Sequence, residues 1–382
     1  MTILVSLTEF ILYTCFGIIF GSLILFLVPE DKRPQIIISK KVLFLAALFI
    51  PLAALVPVLN TADILNGDQN YWFIFKNILF TFEVGKNWIL IALLSLALLR
   101  VIFAKNLKTN KILIYIALFI TLFMLLGYTK SSHAASITEW QGFLYHTMHF
   151  LAVSIWIGIL LVVSWFSKNY NNWAAFLKWF TPVAVTCLVV AVIAGYFTMQ
   201  IDINSYDDPN ASVLQEYQNG LIVNYGQALL LKHIFIISLV IFAVLNGILF
   251  RKNLNQTSFN PLKWARIESV YALIVFGLTA FMGQSWPPHQ IYSLVKTYGA
   301  SPMFTTLYDG NIVAAIHDSD TLKMFNVSFR FGLESYLLFG LGFIFMVITI
   351  LASTKKHSTF VSSLSALLMV VALYFGIMFG IQ

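Results

Sequence analysis

Residues 111–129 read KILIYIALFITLFMLLGYT, and Lys111 is the only charged side chain among them. A helix of roughly 20 apolar residues, rising about 1.5 Å each, crosses the hydrocarbon layer of a bilayer. Nine further runs can be read outward from this one, at about 7–28, 42–59, 87–104, 140–166, 176–199, 226–250, 266–285, 333–352 and 360–381. The second contains Pro51 and Pro57, which neighbouring helices in a membrane can accommodate. The eighth is bracketed tightly by Glu268 and Pro287. The expected fold class is all-α: a polytopic transmembrane helix bundle of about ten spans.

Composition agrees. Of 382 residues, 59% are hydrophobic and 10% charged, whereas a soluble domain carries about 25% charged residues. The run at 7–28 is long for a signal-peptide core and lacks a basic leader and an A-x-A cleavage site, so it reads as a true span. Cys15 and Cys187 stand far apart in apolar runs, which suits two small buried side chains rather than a disulfide framework.

The loops alternate in charge. Odd-numbered loops hold most of the basic residues: Lys32, Arg33, Lys40 and Lys41, then Arg100, Lys105, Lys108 and Lys111, then Lys168 and Lys178, then Arg251, Lys252, Lys263 and Arg266, then Lys355 and Lys356. Even-numbered loops are richer in acids, among them Asp63, Asp68, Asp202, Asp207, Asp208, Glu216, Asp309, Asp318 and Asp320. The positive-inside rule places the odd loops in the cytoplasm and both termini outside. The net charge of +7 then reports topology and attraction to lipid headgroups, not nucleic acid. The chain divides into a transmembrane core at 1–285, an extracytoplasmic loop or cap at 286–332, and a C-terminal two-helix segment at 333–382. Pro, Gly and Tyr in the 286–332 loop suggest an ordered cap. Gly17-x-x-x-Gly21 and Gly376-x-x-x-Gly380 fit close helix packing. No soluble domain is expected at either end.

There is no G-x-x-x-x-G-K-S/T loop, no H-E-x-x-H and no spacing that suggests a Ser-His-Asp set. The chemistry that stands out lies in the fifth span and just before it, HAASITEWQGFLYHTMHFLAVSIWIG at 133–158. His146 and His149 are three residues apart and share a broad helix face, roughly 10–15 Å below the helix start. Polar side chains at such depth face protein or water, and neutral imidazole is a good ligand for Cu, Zn and Fe. His133 precedes the helix and can fold back over its mouth, and Met148 sits between the two histidines. His233, in the seventh span, has a depth like that of His149 and offers a further ligand. Lys232 and Glu268 are charges inside or at the mouth of spans and are candidates for the ion path. His289, His317, Met199, Met282, Met303 and Met324 lie at or near the outer surface.

The segment 133–160 resembles the signature of the CopD-type copper resistance and copper transport membrane proteins. His133-Ala134 is similar to a G-H-A element, and His149, Ala152, Trp156, Gly158 and Leu160 are similar to an H-L-x-A-x-x-x-W-x-G-x-L helix. Tyr225, Gly226, Leu229, Leu230, Lys232 and Asn246 resemble a Y-G-x-x-L-L-x-K…N pattern, Arg266 and Glu268 an R-x-E helix, and TFEVGKNWILIALLSLALLR at 81–100 a T-x-x-G-x-x-W…R helix. The CopD-like region thus covers 81–283. His146 departs from the acidic residue expected at its position, His233 lies outside the family pattern, and ten spans exceed the eight often assigned.

The resemblance implies a multi-pass protein of the bacterial inner membrane that handles copper. His133 and His149 would form an outer copper site completed by His146 with Met148 or His233, Trp156 and Gly158 would shape the path, and an extracytoplasmic copper chaperone is a fitting partner. Two alternatives stay open. One is a redox protein holding haem b between the fifth and seventh spans. The other is an assembly partner for a membrane copper enzyme, docking through 286–332.

Overall fold

The computed structural model describes residues 2–67, 70–204, 211–247, 259–307, 327–355 and 358–381. Ten helices in it are long and apolar enough to cross a membrane, and among the described residues there is no strand, only two isolated bridges. This is the polytopic helical class read from the hydropathy pattern. The ten are α1 (Thr2–Leu27), α2 (Lys40–Leu65), α4 (Glu83–Ile102), α5 (Lys111–Lys130), α7 (Trp140–Phe166), α8 (Trp173–Ile203), α10 (Asn224–Gly247), α11 (Pro261–Gly283), α14 (Leu333–Thr354) and α15 (Thr359–Met378). Short helices sit between them: α3 (Tyr71–Thr81), α6 (His133–Thr138), α9 (Val213–Gly220), α12 (Ile291–Tyr298) and α13 (Pro302–Leu307).

Several helices run past the apolar stretch that announced them. α2 continues to Leu65 and α8 to Ile203, because backbone hydrogen bonding propagates through polar side chains once a helix exists. Asn70 and Asn110 cap α3 and α5, each side-chain oxygen accepting from the second amide of the helix, at 2.9 and 3.0 Å. Asp68, Asp207, Asp208, Arg251, Lys252, Asp309, His317, Asp318, Asp320, Met324 and Lys356 lie outside the described residues.

The chain forms two compact units. One comprises Met1–Ile201 with Asn260–Ser269, the other Asp202–Phe259 with Val270–Gln382.

In the first unit α1 is central, packed by α2, α5 and α7. The crossing with α7 is made by glycine. A β-carbon on Gly158 would overlap the Gly17 carbonyl and lie 3.0 Å from its Cα, and one on Gly21 would overlap the Gly158 carbonyl. The prolines of α2 are accommodated by a neighbour. Pro51 lacks the amide that would bond the Ala47 carbonyl, and Ser95 Oγ of α4 donates to that carbonyl at 2.7 Å. Trp88 Nε1 donates to the Pro51 carbonyl at 2.9 Å. Loops one, three and five meet at one end of this unit: Ile37 N donates to Phe166 O at 2.7 Å, and Lys108 Nζ to Ile38 O at 2.7 Å. Three of the basic odd loops therefore share one end of this unit.

In the second unit α14 and α15 pair through a hydroxyl ladder, Thr349–Ser365 and Ser353–Ser362, each 2.9 Å between oxygens. The α10 helix joins them through Gln227, whose Oε1 accepts from Tyr374 at 2.6 Å. Of the 286–332 loop, the described part includes α12 and α13, and 308–326 lie outside the described residues.

His289, just before α12, is buried, with Nδ1 3.2 Å from the Asn204 carbonyl. Burial pushes its imidazole below the ordinary histidine value, and the carbonyl opposes this in part. The folded protein thus takes up this proton less readily than the unfolded chain. The neutral ring's contribution is intact above the ordinary histidine pKa and is lost as pH falls from there through the lower folded value. The apparent melting temperature in detergent should fall between about pH 7.5 and pH 5.5, and His289→Gln should flatten that dependence. An unaltered pH profile in the variant would contradict this.

Candidate functional site

The histidine segment is built at the mouth of α7. Ser132 Oγ caps α6 by accepting from Ala135 N at 3.3 Å, and Thr138 Oγ1 accepts from Gly142 N at 3.0 Å. Between the two helices Glu139 takes φ 33°, ψ −86°, a backbone that favours glycine. That turn lays α6 back on the start of α7, where Gly142 touches the Ala134 carbonyl so closely that any side chain would overlap it. Lys130 at the end of α5 completes the corner, 3.7 Å from Glu139 and over the Trp140 ring at 5.3 Å. His133, the first residue of α6, is exposed at this mouth.

Within α7 the two histidines sit about 60° apart around the axis, and the neighbours differ accordingly. His149 turns to α8: its Nδ1 is 2.8 Å from the Ala191 carbonyl. A carbonyl oxygen only accepts, so Nδ1 carries the proton and the lone pair is at Nε2, the arrangement of a metal-ligating histidine. One turn on, Gly195 leaves room for the ring. A β-carbon there would stand 2.8 Å from His149 Nδ1 and 3.0 Å from its Cε1.

His146 is half-buried on the Phe150 side of α7, its ring edge-on to Phe150 at 6.5 Å. Phe150 in turn meets Tyr13 and Phe16 of α1 and Tyr128 of α5, at 5.3, 5.5 and 5.5 Å. Met148 is exposed. Trp156 is buried, and its indole N–H is without a hydrogen-bond partner among the described residues. Gly158 forms the α1 crossing. At the far end Arg266 Nε donates to Ser164 O at 3.0 Å, its guanidinium over Trp165 at 5.6 Å, and Glu268 is buried beside it in sequence.

His233 belongs to the second unit. It is exposed, stacked on Tyr217 at 5.8 Å, with its Nδ1 3.1 Å from the Tyr217 hydroxyl. Lys232 is half-buried and within electrostatic reach of Asp202. Tyr225 OH donates to Asp202 Oδ2 at 3.2 Å. Among the described residues no group of three His, Cys, Asp or Glu side chains is close enough to hold a metal ion. Cys15 and Cys187 are buried free thiols.

Sequence reading missed the Ala191 carbonyl and Gly195, since neither residue type carries a signal. It also passed over Asp202 as one loop acid among several. Glu9 of α1 is only 8% exposed although it lies inside a span.

The fold and these side chains define a multi-pass membrane protein with imidazoles, one of fixed tautomer, in its spanning helices. Residues 1–143 match the family model described as copper resistance protein D-like, N-terminal domain. The N-terminal part of the chain is thus similar to the N-terminal domain of copper resistance protein D-like proteins, which supports the CopD-type resemblance. The matched residues overlap the CopD-like region at 81–143. No curated protein and no solved structure matches the chain.

Proposed function

We propose that the protein carries copper across the bacterial inner membrane, with His149 as the central ligand. The observation that carries this reading is the Ala191 carbonyl holding His149 Nδ1–H at 2.8 Å, which sets the Nε2 lone pair before any ion arrives. His133 at the exposed mouth would receive the ion, handed over by an extracytoplasmic copper chaperone. Within the first unit His146 and Met148 would serve as further stations, with Trp156, Gly158 and Glu268 shaping the path. Conduction needs sites that bind well enough to admit an ion and weakly enough to release it, so stations of few ligands suit a carrier.

Alanine at His149 should lower cell-associated copper at limiting supply about tenfold, the lower end of what disturbing a metal site costs. Alanine at His133 should slow uptake most at the lowest copper. Unchanged accumulation in both variants would remove the assignment. A Soret band in the purified protein would point instead to haem held by the same imidazoles.

A further inference from the structure

Glu9 poses a question that the copper reading leaves open. It lies about 10 Å inside α1 and is 8% exposed. An ionisable side chain at that depth is costly unless its surroundings compensate it. Tyr13 OH donates to Glu9 Oε2 at 3.1 Å, and Tyr128 OH donates to the Tyr13 oxygen at 3.2 Å. The phenols form a chain of donors that ends on the carboxylate and fixes its orientation. The same two rings flank Phe150, the residue His146 stands against. Two phenols and one imidazole, from α1, α5 and α7, thus stand around Phe150, and Glu9 and His146 each lie about one turn before Tyr13 and Phe150, a pair through which α1 and α7 meet in one unit.

Neutral imidazoles give a cation lone pairs but no charge. In a medium of low dielectric constant the ion's charge needs an anion near it. We infer that Glu9, oriented by Tyr13 and Tyr128, is the anionic ligand of a nitrogen–oxygen cation station that includes His146, and that this station favours a divalent cation such as Cu(II) over a soft monovalent one. Carboxylate and imidazole donors suit Cu(II), whereas thiolate and thioether select Cu(I). The inference rests on the proposed copper function and adds a ligand and an oxidation state to it.

The test is equilibrium dialysis of the purified full-length protein in detergent against Cu(II) and, separately, Ag(I) as a soft monovalent probe, with Cu(II) electron paramagnetic resonance. Glu9→Gln keeps the shape and an acceptor for Tyr13. It should weaken Cu(II) binding about tenfold or more, leave Ag(I) unaffected and change the Cu(II) spectrum. Tyr13→Phe keeps the ring and should give a smaller loss with a shifted spectrum, which decides the matter should Glu9→Gln not fold. Cu(II) affinity and spectrum unchanged in both variants, or an equal loss of both ions, would overturn the inference. Comparison with His149→Ala separates the two proposals. Wild-type protein that binds neither ion overturns the copper reading itself, whereas loss in His149→Ala with full retention in Glu9→Gln overturns this inference alone.

Discussion

Alanine at Gly158 is expected to lower stability by about 3 kcal/mol, the upper end for forcing a methyl group into a filled interface. By helix propensity alone the change should help, by up to about 1 kcal/mol. The sign is decided by what the new β-carbon meets. At 158 it meets the Gly17 carbonyl and Cα of α1, backbone atoms that move only if the whole helix moves. Between membrane helices there is little hydrophobic drive to restore the contact, since lipid solvates apolar side chains as well as protein does. Gly21→Ala should behave the same way, because its β-carbon would overlap the Gly158 carbonyl. Gly277→Ala in α11, with nothing within 4 Å of its β-carbon, is the control and should be neutral or slightly stabilising. Melting followed by tryptophan fluorescence in detergent measures all three. Equal melting temperatures for Gly158→Ala and Gly277→Ala would show that the α1–α7 crossing is looser than described.

The second large effect concerns His149 without touching it. Gly195→Ala would place a methyl group 2.8 Å from Nδ1. An imidazole is more easily displaced than backbone, so the protein should fold and the ring should swing away from Ala191. Losing the carbonyl that fixes the tautomer should cost about 10–100-fold in copper affinity, the range for removing an outer partner of a metal-ligating histidine. Normal melting with lost binding is the expected combination. Copper affinity equal to wild type in Gly195→Ala would mean that His149 orientation does not matter to binding.

These two glycines differ in how readable they are. Gly17-x-x-x-Gly21 announced a close helix contact, because small residues one turn apart leave a groove on any helix. Which helix fills that groove was not legible, and the answer, Gly158 of α7, joins residues far apart in the chain. Gly195 announced nothing. Its meaning comes from the imidazole of another helix standing over it. Pro51 is similar: the sequence says that a carbonyl four residues back loses its donor, and only the fold says that Ser95 supplies a replacement.

The same line runs through the site. His146 and His149 stood out because imidazoles inside apolar spans need an explanation. Their spacing put them on one broad face, but the fold gives His149 to α8 and sets His146 beside the Phe150 aromatic group. The phenol chain on Glu9 was not legible, because Tyr128 is 115 residues from Tyr13.

The sequence by itself determined the spans, the alternation of loop charge and the residue types able to ligate an ion. All three follow from a bilayer that forces every segment to satisfy its own backbone, so hydropathy along the chain is nearly structure already. The tertiary structure alone decided which helix each polar side chain faces. Bond partners inside a membrane depend on helix azimuth and crossing, and those are set by packing between segments distant in the chain rather than by any property of the segments themselves.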